Sequence, residues 1–400
     1  MPVATDRTDG RPHPADGPAG RPKGGPARRR RPRAPWWTKL ATAFGALLVV
    51  LSVGTGAAAK YLLNQVTDNV QTTASVLGAG DGVGVAQTGA GGKLPDGAIN
   101  LLMLGLDTRT DWEKTGEGSR SDTIIVLHIP ASHDKAEMIS IPRDTMARIP
   151  ADRSIGFDGA TDKINSAFYF GSQNGHGWTG GAKLAAKAVH ELTGISFNGV
   201  LVIDFSGFKD ILEALGGVYM CVDMDMWSSH YIIDAKGKVQ YAKGADPTSP
   251  PRNALWFRKG CRNMKPWEAL EYSRLRHSAN GDYDRQRHQQ QLLRAMAKKA
   301  TSSGVLTDLG KVSKLLAAAG SSLKMDTNGV STTDFFYGLK GLATADLLPI
   351  RTNSGSFVTN GNGEGINDVT RQLFDAAAKD QMEPFLLNHP ELVIDSTATK

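Results

Sequence analysis

Arginine and aspartate recur in four short clusters between Asp107 and Arg285, each beside a predicted strand or a chain break. The arginine guanidinium is a planar fork of donors that matches phosphate oxygens, and it stays charged at any relevant pH. No acyl-transfer nucleophile accompanies the clusters. The set suits a doubly charged phosphate ester, so we predict a pyrophosphate site built from residues 105–109, 120–123, 141–144 and 272–285.

Carboxylates beside such a ligand need their own explanation, because they would repel it. Asp107 and Asp122 make sense mainly if a hard divalent cation lies between them and the phosphates. Mg²⁺ typically takes one or two carboxylates together with phosphate oxygens and water. Each aspartate taken alone is equally well explained as a turn cap or an arginine partner, and that alternative stays open.

Arg274 and Arg276 are separated by one residue, which would place them about 200° apart on a helix but on one face of an extended chain. If both bind one ligand, the helix predicted to begin at Pro266 must end before Arg274. Alternating basic residues usually form a solvated surface, which is the alternative for this pair.

Three apolar segments of strand length position the clusters, namely Ile99–Leu104, Thr123–Ile129 and Glu137–Ile141. A turn-like stretch joins the second and third segments and predicts an antiparallel hairpin. If the first segment also runs opposite to the second, one end of each segment meets the others at a single sheet edge. The charged residues that would converge there are Asp107, Arg120, Asp122 and Arg143.

Helical patterns alternate with the strands. Residues 181–192 and 206–215 are helical in pattern and end at Gly194 and Gly216, as expected at a helix end, and a strand at 200–204 lies between them. Further helices are predicted to begin at Pro266, Arg285 and Ser331. The alternation predicts an α/β fold, with a central mixed β-sheet and helices on both faces in three layers.

Taken in order, the motifs resemble the signature of the LytR-CpsA-Psr family. The resemblance covers about Pro95 to Gln291 strongly and the C-terminal helices weakly. The ordered combination is specific, although each piece alone is not. The matching segments are residues 100–109 (NLLMLGLDTR), 120–123 (RSDT), 139–145 (ISIPRDT), 163–167 (KINSA), 207–208 (GF), 215–218 (LGGV) and 272–277 (YSRLRH).

The resemblance implies a membrane-anchored, extracytoplasmic phosphotransferase. Such enzymes move a glycopolymer from a polyprenyl-pyrophosphate carrier to a cell-wall acceptor with a divalent cation, Mg²⁺ or Mn²⁺. Carried over by motif, Asp107 and Asp122 would hold the metal, and the catalytic residues would be Asp107, Arg143 and Arg276. The residues that would bind the pyrophosphate are Arg120, Arg143, Lys163, Arg274, Arg276, Asp282, Arg285 and Gln289.

The chain departs from the family pattern at two places. His288 stands where the family often has a second arginine shortly after Arg285. The segment Met224–Lys259 is not part of the signature. A surface hairpin is the favoured interpretation of this segment, and a role in acceptor recognition is the alternative.

The resemblance also implies an apolar cavity for the isoprenoid tail, which would open onto the arginines. Each residue that is suited to line it is equally suited to an ordinary core, the favoured interpretation for each one taken singly. These residues are Val200, Ile203, Phe205, Phe208, Ile211, Leu212, Leu215, Leu292, Leu293 and Met296.

The N-terminal part of the chain predicts attachment to the plasma membrane. Residues 1–39 are rich in proline and carry ten basic and three acidic residues, which predicts a disordered tail. Leu40–Ala59 lacks charges and would span ~30 Å as a helix, which predicts a single-pass anchor with a cytoplasmic N-terminus. A cleaved signal peptide is the alternative. Residues 60–94 are predicted to be a glycine-rich extracytoplasmic linker, and residues 95–395 the catalytic domain.

The overall charge does not indicate a nucleic-acid partner. The chain carries +6, but the tail contributes +7 and the remainder only −1. The resemblance implies two partners, a polyprenyl-pyrophosphate-linked glycan donor and a cell-wall glycan acceptor, and the predicted anchor helix adds the cytoplasmic membrane.

Cys221 and Cys261 fall in the part predicted to face an oxidising exterior, which favours a disulfide, and two separate buried thiols are the alternative. His277 and His288 lack a third partner for a metal, so we interpret them as hydrogen-bonded or surface residues. Two functions besides transfer stay open. One is a non-catalytic module that binds lipid-linked intermediates or regulates wall synthesis, and the other is hydrolysis of the pyrophosphate.

Overall fold

The structure, a computed structural model, describes residues 71–73, 76–77, 94–108, 118–242, 249–305, 309–332, 335 and 346–394. The predicted basic tail, the predicted transmembrane helix and most of the predicted linker lie outside these residues. So does most of the helix predicted to begin at Ser331. Within the described ranges, no helix is both long and apolar enough to cross a bilayer.

A seven-stranded mixed sheet forms the centre of the fold. Its strands, in spatial order, are β1 (Gln71–Thr73), β13 (Leu323–Asp326), β7 (Gly199–Asp204), β2 (Ile99–Leu106), β3 (Ser121–Ile129), β4 (Lys135–Ser140) and β14 (Asp346–Ile350). β3 runs antiparallel to both β2 and β4, and β2 runs parallel to β7. The predicted strand directions are confirmed, so the end of β2, the start of β3 and the end of β4 share one edge.

The remaining elements connect and cover this sheet. The helices are α1 (Ser166–Ser172), α2 (Gly177–Thr193), α3 (Phe205–Leu215), α4 (Pro266–Tyr272), α5 (Asp282–Ser302), α6 (Leu309–Ala319), α7 (Asp368–Ala378) and α8 (Met382–Asn388). The other strands are β5 (Met146–Ile149), β6 (Ala160–Lys163), β8 (Val218–Val222), β9 (Met226–Ile233), β10 (Val239–Tyr241), β11 (Ala254–Phe257), β12 (Gly260–Met264), β15 (Thr359–Asn360) and β16 (Gly363–Glu364).

Helices pack on both faces of the sheet. Leu102 and Leu104 of β2 belong to one buried cluster with Leu184 of α2. Leu101 belongs to another cluster, with Leu316 of α6. Because successive side chains of a strand point to opposite faces, β2 contributes to both cores. The predicted three-layer α/β fold is confirmed.

Helix α3 is held at both of its ends. Asp204, the last residue of β7, accepts a hydrogen bond from the Gly207 N–H at 2.9 Å and so caps the helix N-terminus. The helix ends at Gly216, whose φ of 74° lies in the left-handed region that favours glycine. These ends keep Phe205 and Phe208 beside the sheet edge described above.

Helix α2 begins at Gly177 and not at residue 181 as predicted. A Cβ on Gly180 would lie 2.3 Å from the carbonyl oxygen of Gly171 in α1. Glycine at this position permits the close approach of α1 and α2, although it lowers helix propensity. The predicted start of the helix was too late because it rested on the low helix propensity of glycine. The contact between Gly180 and Gly171 could not be seen in the sequence.

The segment predicted as a linker contributes to the folded domain. Gln71–Thr73 pairs in parallel with β13. Val76 and Leu77 are buried, and their N–H groups each donate a hydrogen bond of 2.8 Å to Asp326. The β-branched threonines favour a strand, and the Asp326 carboxylate satisfies the buried N–H groups that follow it. The predicted boundary at residue 95 is therefore too late.

The segment Met224–Lys259 supplies a small antiparallel sheet, ordered β10, β9, β11. Cys221 on β8 and Cys261 on β12 lie directly opposite each other beside it and form a disulfide, as predicted. The interpretation as a surface hairpin is incomplete, because Ser229 and His230 of β9 line a cavity of the protein.

We expect Glu137→Gln to stabilise the protein at alkaline pH. The Glu137 carboxyl on β4 is fully buried, and neither oxygen has a hydrogen-bond partner among the described residues. Burial raises its pKa to about 7, although the Lys135 ammonium opposes that shift. Because the folded-state pKa lies above the unfolded-state value, this group's contribution to stability is complete below about pH 4 and is lost as the pH rises through 7.

Denaturant titrations at pH 5 and pH 8 check this prediction. The glutamine variant should gain up to about 3 kcal/mol in free energy of unfolding at pH 8 and much less at pH 5. Glu213→Gln, at an exposed position on α3, is the matched control. An equal gain at both pH values would show that ionisation of Glu137 is not the cause.

Candidate active site

The charged clusters that were predicted to converge do meet, where β2 ends and β3 begins. Asp107 directly follows β2, and Asp122 is near the start of β3. Both aspartates line an apolar cavity, and both also line a polar one. The pair therefore lies between two chemically different spaces.

The apolar cavity has a volume of about 340 Å³. Phe205 and Phe208 of α3 and Leu292 and Leu293 of α5 line it, together with side chains of the sheet. Three arginines and one glutamine of the predicted site also line it, namely Arg274, Arg276, Arg285 and Gln289.

Half of the residues proposed for an isoprenoid cavity line this space. Ile203, Phe205, Phe208, Leu292 and Leu293 do. The other five lie in the buried clusters or pack against them, namely Val200, Ile211, Leu212, Leu215 and Met296. On β7 strand alternation explains the split, since Val200 and Ile203 point to opposite faces.

The polar cavity has a volume of about 390 Å³ and shares the two aspartates with the apolar one. Its basic lining residues are Arg120, Arg143 and Lys163. The Lys163 ammonium lies 2.9 Å from the Asp144 carboxylate. Burial raises the pKa of Asp144, but the hydrogen bond from Lys163 and nearby arginine charges outweigh it, so the pKa is lowered.

Three guanidinium groups surround two carboxylates at the centre of the site. Arg143 Nη1 lies 2.6 Å from Asp122 Oδ2, and Arg276 Nη2 lies 3.7 Å from the same oxygen. Asp282 Oδ1 lies 2.8 Å from Arg285 Nη2, 3.7 Å from Arg143 Nε and 4.0 Å from Arg276 Nε. Arg143 Nε also lies 3.7 Å from Asp144, which pairs with Lys163, so four positive charges face three negative ones and leave an excess that suits an anionic ligand.

Arg285 is the most deeply buried of the three arginines, at 3% exposure. Burial lowers its pKa to about 10, Asp282 opposes that shift, and the charges of Arg276 and Arg143 reinforce it. The group remains protonated at neutral pH. It also donates a hydrogen bond of 2.9 Å to the Asp122 carbonyl oxygen, which ties α5 to the start of β3.

Arg274 and Arg276 line the same cavity, as their spacing predicted. Helix α4 ends at Tyr272, and Leu275 between the two arginines is completely buried. The Arg274 guanidinium lies 4.1 Å from the centre of the Phe205 ring and 3.8 Å from Asp107 Oδ1. One side chain thus connects the apolar wall to the exposed aspartate.

The donor set fits a magnesium ion. Asp107 is half exposed and lines both cavities, and among the described residues its carboxylate has one ion-pair contact, at 3.8 Å. Asp122 accepts hydrogen bonds from Arg143 at 2.6 Å and from Asn165 at 3.4 Å. Among the described residues no group of three acidic, histidine or cysteine side chains could hold a metal. Two carboxylates suffice for Mg²⁺ when phosphate oxygens and water complete its shell.

Sequence reasoning missed part of the cavity wall. Ser229 and His230 of β9 line the apolar cavity together with His277. The Ser229 hydroxyl lies 2.5 Å from His277 Nε2, and burial lowers the His277 pKa. His277 is thus hydrogen-bonded, as interpreted from sequence. Ser229 lies 48 positions away in a segment without a motif, so no sequence pattern connects the two.

His288, which replaces the arginine common in the family, lines neither of the two cavities. Its side chain is fully buried, and its Nε2 lies 3.2 Å from Asp223 Oδ1. Arg287 Nε lies 2.7 Å from the other oxygen of Asp223. The two side chains attach α5 to the residue that follows β8, a structural role.

The chain is similar to known proteins of one family. The model of the LytR_cpsA_psr family matches residues 61–377. The polyisoprenyl-teichoic acid–peptidoglycan teichoic acid transferase TagU of Oceanobacillus iheyensis is 29% identical over 273 residues, which are 68% of this chain and 70% of that protein. Regulatory protein MsrR of Staphylococcus aureus is 27% identical over 292 residues, 72% of this chain and 75% of that one.

A solved structure shares the fold. The crystal structure of protein gbs0355 from Streptococcus agalactiae matches with a TM-score of 0.54 at 20% sequence identity. The match covers 71% of this chain and 88% of that one.

Proposed function

The chain belongs to the LytR-CpsA-Psr family, and on that premise we propose that it transfers a glycopolymer from a polyprenyl-pyrophosphate carrier to a cell-wall glycan acceptor. The observation that carries the proposal is the pair of cavities that share Asp107 and Asp122. An amphiphilic diphosphate needs both an apolar space for its tail and a cationic place for its head. Hydrolysis of a soluble phosphate ester would need only the second.

In the proposed complex the isoprenoid tail lies in the apolar cavity, and the diphosphate lies among Arg143, Arg276 and Arg285. Arg120 and Lys163 line the polar cavity together with Arg143, and there they bind the glycan-linked end of the diphosphate. Asp282 carries the same charge as the ligand. Its contacts to three guanidinium groups assign it a positioning role in place of the direct contact implied by the motif.

The reaction is an in-line displacement at phosphorus. The acceptor oxygen forms a bond to the glycan-linked phosphorus, and the bond from that phosphorus to the bridging oxygen breaks. The carrier monophosphate leaves with the electron pair. The hydroxyl proton passes to the Asp107 carboxylate, and the arginines stabilise the charge that develops on the phosphate oxygens.

Asp107 and Asp122 would hold the divalent cation, Mg²⁺ or Mn²⁺. When bound there, the ion supplies further neutralisation of the leaving phosphate. Metal binding and proton acceptance use different oxygens of the Asp107 carboxylate in this proposal.

The proposal includes a location. The predicted anchor at residues 40–59 would hold the domain outside the plasma membrane, next to lipid-linked donors. Protease treatment of intact cells should cleave the domain, and protection of the domain until lysis would contradict that orientation.

A transfer assay tests the function. The full chain in detergent micelles is incubated with Mg²⁺, a polyprenyl-pyrophosphate-linked glycan and an oligosaccharide acceptor. A covalent acceptor product supports transfer, whereas free glycan phosphate without such a product supports hydrolysis. Donor binding without turnover supports a non-catalytic module, the second candidate, because one relative is named a regulatory protein.

Filling the apolar cavity should discriminate between donors by tail length. Leu293→Trp adds bulk to the cavity lining, so the KM for a long polyprenyl donor should rise about tenfold or more, given ~0.8 kcal/mol per buried methylene. The KM for a short-tailed donor should change little. Leu387→Trp, at an exposed position on α8, is the control. Equal effects on both donors would contradict a tail in this cavity.

A further inference from the structure

Exposed apolar side chains are concentrated in one part of the described chain. Five of the seven large apolar residues that are exposed lie on β8 to β11, which are consecutive in sequence, and four of these five belong to the three-stranded sheet β10, β9, β11. The other two are Phe357 and Leu387. Isolated exposed apolar residues are ordinary, but a concentration marks an interaction surface. The five are Tyr219, Ile233, Val239, Tyr241 and Trp256.

Aromatic rings in this region hold one another in fixed orientations. Tyr241 on β10 lies opposite Tyr231 on β9, with ring centres 5.7 Å apart and planes nearly perpendicular. Tyr231 in turn lies 5.0 Å from Trp267. On β11 the ring of Trp256 lies 4.7 Å below the Arg258 guanidinium. We call Tyr231, Tyr241 and Trp256 the aromatic strip.

The aromatic strip continues into the candidate active site through two stacked pairs. The His230 ring stacks on Tyr241 with centres 6.2 Å apart. Trp227, which lies opposite Trp256, stacks on His277 at 3.9 Å. His230 and His277 both line the apolar cavity. A chain-like ligand on the strip would therefore have one end next to the apolar cavity, whose lining also includes Asp107 and Asp122.

We propose that the aromatic strip binds the glycan strand that accepts the glycopolymer, an inference that rests on the proposed function. The C–H faces of pyranose rings pack on aromatic rings, and their hydroxyls bind polar side chains such as that of Arg258. The charge also fits, because residues 218–264 contain seven basic and four acidic side chains. That excess complements the carboxylates of muramic-acid-containing strands.

Binding of a soluble acceptor fragment tests the inference without any donor. The full chain in detergent is titrated calorimetrically with a tetrasaccharide of alternating N-acetylglucosamine and N-acetylmuramic acid. Tyr241→Ala and Trp256→Ala should each weaken binding about tenfold. Tyr241→Phe, which keeps the ring, should bind like the wild type, as should the exposed control Leu387→Ala.

Turnover separates failure of this inference from failure of the proposed function. In the transfer assay the alanine variants should raise the KM for acceptor about tenfold and leave kcat nearly unchanged. If both alanine variants bind the tetrasaccharide as tightly as the wild type and still catalyse transfer, the inference about the aromatic strip is contradicted and the proposed function is not. If the wild type binds the tetrasaccharide but catalyses no transfer, the proposed transferase function is contradicted and the binding inference is not.

A membrane contact is the competing use of such a surface. It would be revealed by brominated phospholipids in proteoliposomes. The inference is overturned if Trp256→Ala removes a component of tryptophan quenching by these lipids and leaves the tetrasaccharide affinity unchanged.

Discussion

Replacing Arg143 with alanine should lower kcat for transfer by about 10²- to 10³-fold. Arg143 Nη1 lies 2.6 Å from Asp122, and its Nε lies 3.7 Å from both Asp144 and Asp282. Removal of the guanidinium deletes a positive charge that faces the diphosphate. It also leaves the negative charges of these carboxylates less neutralised. The carboxylates then repel the anionic transition state, and the attraction from Arg143 is lost as well.

Steady-state kinetics with purified donor and acceptor give the result. Arg143→Lys should recover only part of kcat, because an ammonium keeps the charge without the two-pronged geometry. The control is Arg148→Ala, which removes an exposed arginine paired with Glu191 at 2.8 Å. A folded Arg143→Ala variant with wild-type kcat would remove Arg143 from the account.

Replacing Asp107 with asparagine should abolish stimulation by Mg²⁺ and lower the rate by at least about 10²-fold. Asp107 is half exposed and its ion-pair contact to Arg274 is long, at 3.8 Å, so folding should not depend on it. The substitution removes an anionic metal ligand and the proposed proton acceptor with almost no change in size.

Metal affinity separates this effect from a general loss of activity. Mn²⁺ binding, followed by electron paramagnetic resonance, should weaken in Asp107→Asn and in Asp122→Asn. It should be unchanged in Asp375→Asn, which alters a comparably exposed aspartate on α7. Wild-type Mn²⁺ affinity together with full Mg²⁺ stimulation in the Asp107 variant would contradict the assignment.

Strand direction was the part of the site that local sequence predicted best. The period of apolar residues defined β2, β3 and β4, and a short turn required two of them to be antiparallel. These two directions bring Asp122 and Arg143 to one edge, and Asp107 joins them because β2 meets the condition that it also runs opposite to β3. The spacing of Arg274 and Arg276 likewise needs only local chain geometry, so their shared cavity was predictable.

Contacts between distant segments were not predictable in the same way. Ser229 lines the cavity because β9 packs against the segment that follows α4. The pattern of apolar residues in the sequence does not indicate this contact. The pairing of β1 with β13 joins residues about 250 positions apart. Asp282 was assigned to the ligand by motif position, whereas its three guanidinium contacts became visible only in the folded chain.

The most direct measurement follows both phosphorus atoms of the donor through the reaction by ³¹P nuclear magnetic resonance, with the full chain, Mg²⁺ and acceptor present. Transfer predicts equal amounts of one phosphodiester, which joins the glycopolymer to the acceptor, and one polyprenyl phosphomonoester. Formation of two phosphomonoesters with no phosphodiester would contradict transfer and assign the site to hydrolysis. An unchanged donor spectrum would contradict catalysis altogether.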